Sequence, residues 1–465
     1  MTELTIPLEV KSKIPLYEQI YQYIKENIER KKIACYEKLP STRALASYLE
    51  VSRSTVELAY EQLLSEGYIE SVAYKGYYVT NIEELYQLDI KAPKQSKEEK
   101  KLPEEQYTYD FTSHGVDKNG FPHNIWKKLA KEVYSEEASV LSRQGDSQGE
   151  YMLREEICEY LYQARGVQCS ARQVIIASGS DYFVMLLSLI LGKNKKIAFE
   201  DPAYKRSYKV FEALGHQLCA IPVDKKGMKV SELKESETDI AYVTPSHQYP
   251  LGIVMPLKRR AELLQWVKEK EGRYIIEDDY DSEFRYKGKP IPSLQGYDKN
   301  GKVIYMGNFS KSISPSIRVG YMVLPDEILE LYYEKKAFLN VTVSKETQLT
   351  LGRFLAGGHY ARHLNKMRAL YKSRHDTLIG ALKPMLKNCS ISGENAGVHI
   401  LLEFPSEAEE KELIEKAKQQ GIRVYGLSEY YLKNIPKNNT ILLGFVNMSE
   451  EKIKEAVEKL IEIWN

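Results

Sequence analysis

A chain of 465 residues with 43% hydrophobic content is long enough for two or three domains and has the apolar mass to build their cores. Its net charge of +1 excludes binding to nucleic acid by bulk attraction, and residues 1 to 80 carry ten Lys and Arg against eleven Asp and Glu, so any DNA contact must rest on a local patch. Five widely spaced cysteines with no C-x-x-C pair argue for a reducing compartment and against a zinc centre; without a bilayer-length apolar run or a leader-like N-terminus, a soluble cytoplasmic protein is expected.

In chain order, Ile20, Ile24 and Ile28 predict one face of a first helix, and Leu45 and Leu49 mark a second. A third starts at Ser52, a good N-cap, carries Val56, Ala59, Tyr60, Leu63 and Leu64 on one apolar stripe, and ends before Gly67. Residues 68 to 70 and 77 to 79 predict two short strands joined through Lys75-Gly76, which completes the plan of a winged helix-turn-helix over residues 1 to 80. A recognition helix reads base edges from its first turn, so Ser52, Arg53, Ser54 and Thr55 are expected at the major groove, with Arg53 against a guanine. Ser41 and Arg43 are placed to hold phosphates, and Lys75 and Tyr77 to touch backbone or minor groove from the wing. A three-helix unit also serves as a protein-interaction module; the Pro-Ser-x-Arg and Val-Ser-Arg-x-Thr combination favours DNA.

The runs PLYEQIYQYIKENI, KLPSTRALASYL, VSRSTV and EGYIES resemble the winged-helix domain of the GntR superfamily over residues 14 to 80. Residues 81 to 108 are charged, Pro-punctuated and poor in large apolar side chains, and are expected to form a solvated linker. From residue 109 to 465, strand-like runs (VIIAS, IAFE, IAYVT, YIIED, VIYMG) alternate with helical patterns, which predicts an α/β body with a mostly parallel sheet covered on both faces. From about residue 365 the pattern changes to a smaller α/β subdomain.

Within that body the motifs match the needs of a pyridoxal phosphate site: a lysine for the aldimine, an acid for the pyridine nitrogen, a donor to the phenolate oxygen and a phosphate cradle. Lys311 follows the strand VIYMG in the frame Ser-Lys-x-x-x-Pro-x-x-Arg-x-Gly, with Asn308, Ser310 and Arg318 placed for phosphate. A lysine alone carries no such meaning; the frame does. At the end of YIIEDDY, Asp278 is the candidate partner of the ring nitrogen, Asp279 the alternative, and Tyr280 the phenolate donor. In VIIASGSDYF, a strand, a glycine turn and a helix start bring Gly179, Ser180 and Asp181 to a phosphate. Tyr204, after the turn EDPAY, is either a ring-stacking group or an ordinary turn aromatic.

The order SGS, DPAY, TPSHQYPLG, EDDY, SK, IRVG resembles fold-type I aminotransferases, and the union with the first domain is similar to the MocR/GabR subfamily of GntR regulators. That resemblance implies a pyridoxal phosphate protein, a head-to-tail homodimer and a small amino acid or amine as effector. It also implies that the chain binds paired half-sites of a double-stranded DNA operator. Where aminotransferases carry Asn-Pro-x-Gly this chain has Tyr249-Pro250-Leu251-Gly252, so His247 or Tyr280 is expected to replace the missing amide contact, at some loss of turnover. By the same resemblance Arg206 clamps an effector carboxylate, while Glu429 stands where GABA-sensing members have a second arginine; an effector with a different distal group follows, unless Arg423 points inward. The expected function is a transcriptional regulator that senses an amino compound by external aldimine formation on Lys311, with little or partial transamination. The alternatives are an active aminotransferase with a regulatory N-terminal domain and a repressor whose body has become a scaffold.

Overall fold

Isoleucines spaced by four put one stripe of α1 (Leu16–Glu29) into a core shared with Leu45 and Ala46 of α2 (Thr42–Tyr48) and with Val56, Ala59, Tyr60 and Leu63 of α3 (Arg53–Ser65). Both later helices begin on hydroxyl caps: Ser41 Oγ accepts the Ala44 N–H and Ser52 Oγ accepts the Thr55 N–H, each at 3.2 Å. β1 (Ile69–Val72) and β2 (Gly76–Val79) pair antiparallel with Val72 opposite Gly76, and Ile69 and Val79 close the core. Residues 36 to 39 add a third line to this wing, the N–H groups of Tyr36 and Leu39 donating to the carbonyls of Val79 and Tyr77. Nothing in the hydrophobic period of that stretch announces it.

The computed structural model describes residues 6–81, 107–286, 291–405, 408–433, 435 and 439–464. It divides into two units, Met1–Glu104 and Glu105–Asn465. Almost all of the expected linker, 81 to 108, lies outside the described residues. Among the described residues no helix is long and apolar enough to cross a membrane.

The larger unit opens with β3 (Tyr109–Asp110). Its main sheet is built from β4 (Val174–Ala177), β5 (Lys196–Asp201), β6 (Gln217–Asp224), β7 (Gly227–Met228), β8 (Ile240–Val243), β9 (Tyr274–Asp279), β10 (Val303–Asn308) and β11 (Gly320–Val323). The spatial order is β4-β11-β10-β9-β8-β5-β6-β7; β5, β6, β8, β9 and β10 run parallel, and β11 and β7 run against their neighbours. Apart from β6, whose residues are mostly exposed or half-buried, these strands are largely buried and read as apolar runs. One face packs on helix Ser180–Leu191 through Phe183, Val184 and Leu187. The other is covered in two places, by Leu153, Ile157 and Leu161 of helix Tyr151–Arg165 and by Leu263, Trp266 and Val267 of helix Leu257–Lys268.

A second sheet, all antiparallel, follows: β12 (Ser390–Ser392), β13 (His399–Glu403), β15 (Tyr425–Gly426) and β16 (Thr440–Gly444), in the order β12-β13-β16-β15. Between β13 and β15, β14 (Ile422–Arg423) pairs in parallel with β3. Residues more than 300 positions apart therefore share one core, with Tyr109 and Phe111 packed among Ile422, Leu443 and Val457. From β3 the chain continues directly into Ser113 and His114, at the mouth of the cavity described next.

Candidate functional site

Parallel strands end together, and the crevice beyond their carboxyl ends is where an open α/β sheet leaves room for a ligand. Here that crevice is a cavity of about 360 Å³. Gly179, Ser180 and Asp181 line it from beyond β4, Tyr204 and Arg206 from beyond β5, Thr244 and Tyr249 from beyond β8, Asp278 and Tyr280 from β9, and Asn308, Ser310 and Lys311 from beyond β10. Arg318, just before β11, lines it as well.

Strand parity decides between the two candidate acids. Residues 276 and 278 share one face of β9, and 275, 277 and 279 the other. Asp278 accordingly faces the cavity, where its Oδ2 accepts the hydroxyl of Tyr242 and its buried Oδ1 has no hydrogen-bond partner. Asp279 is committed elsewhere: Arg165 Nε donates to its Oδ2 at 2.8 Å and the Tyr305 hydroxyl at 2.6 Å. Burial pushes the Asp278 carboxyl up to about 6, because little around it compensates its charge.

Lys311 donates from Nζ to the backbone carbonyl of Ser113, and desolvation holds its ammonium down at about 8. An amine so depressed is free base far more often at neutral pH than a surface lysine, which is what a nucleophilic lysine needs. At the other end of the cavity, helix Ser180–Leu191 points its N-terminus inward behind Gly179, whose φ of 98° is open to glycine. A side chain at 179 would begin 2.8 Å from Arg318 Nη2, so glycine is what lets the guanidinium lie over the helix start. Arg318 Nη2 donates to the Ser178 carbonyl at 2.8 Å. Free N–H groups, a helix dipole and a guanidinium converge there on the space an anion would fill. The donor set fits an aldehyde that carries a ring nitrogen and a phosphate.

Not every residue singled out in the sequence reaches the cavity. Arg206 does, but its Nη2 is held by Asp181 Oδ2 at 2.8 Å, so a carboxylate ligand must compete with that pair. His247 is buried behind the wall: its Nδ1 lies 2.9 Å from the Tyr280 hydroxyl and 3.0 Å from Asp281 Oδ2, which makes it a support for Tyr280. Glu429 does not line the cavity; its neighbour Tyr430 approaches, with its hydroxyl 3.2 Å from that of Tyr249. Arg423 points away and lies over the rings of Tyr107 and Tyr425. Ser113, His114, Gly115 and Val398 line the cavity with no motif to announce them. Tyr249, known from the sequence as a substitution, is the hub of the wall: its ring meets Tyr204, Tyr280, His399 and Tyr430 edge-on at centroid distances of 5.2–5.8 Å. Among the described residues no cluster could hold a metal ion.

In the smaller unit, Ser41, Arg43, Ser52, Arg53, Ser54 and Lys75 are exposed and Thr55 is half-buried. Arg53 Nε lies 2.7 Å from Glu57 Oε1, one turn on, a pair that an incoming base must displace. Ser52 and Thr55 are occupied in capping, their hydroxyls 2.7 Å apart. Tyr77 packs edge-on against Tyr60 at 4.9 Å, while the fully exposed Tyr74 stands at the tip of the wing.

The raised pKa of Asp278 has a measurable consequence. Without ligand, the native state keeps a proton that the unfolded chain has lost between about pH 4 and pH 6, so stability falls as pH rises through that window and stays lower above it. Asp278→Asn, which keeps an acceptor for Tyr242, is expected to stabilise the ligand-free protein by about 3 kcal/mol at pH 8 and hardly at all at pH 4, read from urea midpoints. A lower midpoint at pH 8 would show that the carboxylate serves the fold.

Comparison with known proteins agrees with this division of the chain. Residues 113–460 match the aminotransferase class I and II family and residues 16–79 the gntR family of bacterial regulatory proteins. The chain is 42% identical to the uncharacterized HTH-type transcriptional regulator YdeL of Bacillus subtilis, over 97% of each chain. It is 30% identical to the probable rhizopine catabolism regulatory protein MocR of Rhizobium meliloti, over 97% of this chain and 94% of that one. Among solved structures, Pyrococcus horikoshii kynurenine aminotransferase in complex with PMP superposes with a TM-score of 0.69 at 27% identity, covering 76% of this chain and 90% of that one. A winged helix-turn-helix joined to a fold-type I aminotransferase domain defines a class of DNA-binding transcriptional regulator. The chain belongs to the MocR-type regulators of the GntR family.

Proposed function

We propose that the larger unit binds pyridoxal 5'-phosphate and senses a small amino compound there, and that the sensed state changes how a homodimer holds paired half-sites of double-stranded DNA. The observation that carries this reading is one cavity in which a lysine with a depressed pKa and a buried carboxylate oxygen without a partner both face the same space. When bound, the cofactor supplies a carbonyl carbon that condenses with primary amines, and so lets a free amine compete with Lys311. The residues do the rest. Asp278 would accept the ring N–H, and a cation there favours its charged form. Gly179, Ser180, Ser310 and Arg318 would hold the phosphate, Tyr280, with His247 behind it, would donate to the ring hydroxyl, and Tyr204 is placed to contact the ring. Tyr249 fills the wall where an amide would otherwise sit, and Arg206, once released by Asp181, is the cation available to an acidic group on the effector.

Titration of the purified, cofactor-loaded protein with amino acids and amines, followed by visible absorbance, tests this. A band that shifts with one compound and stays shifted supports sensing. Bleaching that is restored by a keto acid would instead make the protein a working aminotransferase, a reading favoured by the presence of both Lys311 and Asp278. A protein that takes up no cofactor on incubation with pyridoxal 5'-phosphate would leave the body a scaffold.

For the DNA-binding unit, Arg53 is the exposed cation on the first turn of α3. Arg53→Ala is expected to cost about 1–3 kcal/mol of discrimination at one base pair of the operator. Fluorescence anisotropy with operator and scrambled duplexes reads it: equal losses on both would reduce Arg53 to a phosphate contact.

A further inference from the structure

Away from the cavity, helix Tyr151–Arg165 and the segment that follows it bring two of the five cysteines together. Cys158 Sγ and Cys169 Sγ lie 3.5 Å apart, and both line a surface cleft of about 720 Å³. We infer that Cys158 and Cys169 are a peroxide-reactive thiol pair that closes into an intramolecular disulfide. The two thiols are already in contact, so little movement separates them from a bond. Their roles differ. The Cys169 S–H donates to Cys158, which together with the nearby Arg154 guanidinium lowers the pKa of Cys158, while Cys169 is held protonated. Cys158 is thus the attacking thiolate and Cys169 the resolving thiol. The cleft also carries Glu155 and Glu159. Carboxylates at the mouth disfavour anionic oxidants such as glutathione disulfide and leave neutral hydrogen peroxide as the suitable one.

The chemistry balances in two steps. The Cys158 thiolate attacks one peroxide oxygen, an S–O bond forms, the O–O bond breaks and hydroxide leaves, giving a sulfenic acid. Cys169 sulfur then attacks the Cys158 sulfur, the S–O bond breaks, and the departing oxygen takes the thiol proton to leave as water. Sulfur is oxidised and peroxide reduced by two electrons in all. The bond ties the helix that ends in Arg165, the partner of Asp279, to the residues leading into β4.

The test treats the full-length protein with one equivalent of hydrogen peroxide, alkylates, and maps peptides without reduction. A cross-link between the peptides of Cys158 and Cys169, formed before Cys35 is modified and reversed by dithiothreitol, is the expected result. In urea concentrated enough to unfold the chain, the preference for this pair should vanish. Cys158→Ser should leave Cys169 alkylated as a free thiol. Oxidation of the exposed Cys35 first, or a sulfinic acid at Cys158 with Cys169 still free, would overturn the inference.

Discussion

Lys311→Ala should abolish the visible absorbance of the cofactor-loaded protein and every effector-induced change in operator binding, while the affinity for DNA measured without effector stays at the wild-type value. The separation is expected because Lys311 lies in the cavity of the larger unit, and the side chains proposed for DNA contact lie on the winged helix. The readouts are an absorbance spectrum and a duplex-binding titration with and without the amine that shifts the wild-type band. A variant that still answered that amine would remove covalent capture from the mechanism, leaving the cavity as an ordinary non-covalent pocket.

The second large effect is on the fold. Arg165 and Asp279 form an ion pair whose side chains are 5% and 1% exposed, and Arg165 also donates to the Ser246 hydroxyl and the Ile291 carbonyl. Removing one partner strands the other charge in a medium that cannot solvate it. Arg165→Met is therefore expected to cost about 3–5 kcal/mol in the urea denaturation of the larger unit. Arg165→Met with Asp279→Asn should recover part of that loss, because the neutral amide leaves no charge unpaired and still accepts from Tyr305. If the double variant were no better than the single one, packing of the arginine stem would be the larger contribution.

The cavity was partly legible in the sequence because several of its residues sit in local frames. Gly179 to Asp181 share a strand-turn-helix junction, Lys311 and Arg318 share one loop, and Asp278 and Tyr280 end one strand. Local frames do not say which distant segment folds over them. Ser113 and His114 follow a two-residue strand whose partner lies beyond residue 420, so no period marks their approach. The choice between Asp278 and Asp279 needed the side to which each points, which follows from parity once the strand is in register with β10. Glu429 rests on alignment of position alone, and a shift of one residue in a turn is enough to bring Tyr430 against Tyr249 in its place. In the fold, β6 and β11 carry weaker signals: β6 mixes exposed and half-buried residues at the sheet margin, and β11 opens on a glycine and runs on directly from the loop that holds Lys311 and Arg318.

Tyr249 also bears on when the cavity comes into being. Its hydroxyl lies 3.1 Å from Ser113 Oγ and 3.2 Å from the Tyr430 hydroxyl, partners 136 and 181 residues away along the chain. Contacts of such range cost long-loop closure, so the wall is expected to close late in folding and to be lost on any opening that separates these segments. A molecule bound inside is thus a wedge against unfolding of the larger unit as a whole, worth about 2.7 kcal/mol at one hundred times its dissociation constant. The protein's thermal endurance becomes a gauge of how much of that molecule surrounds it.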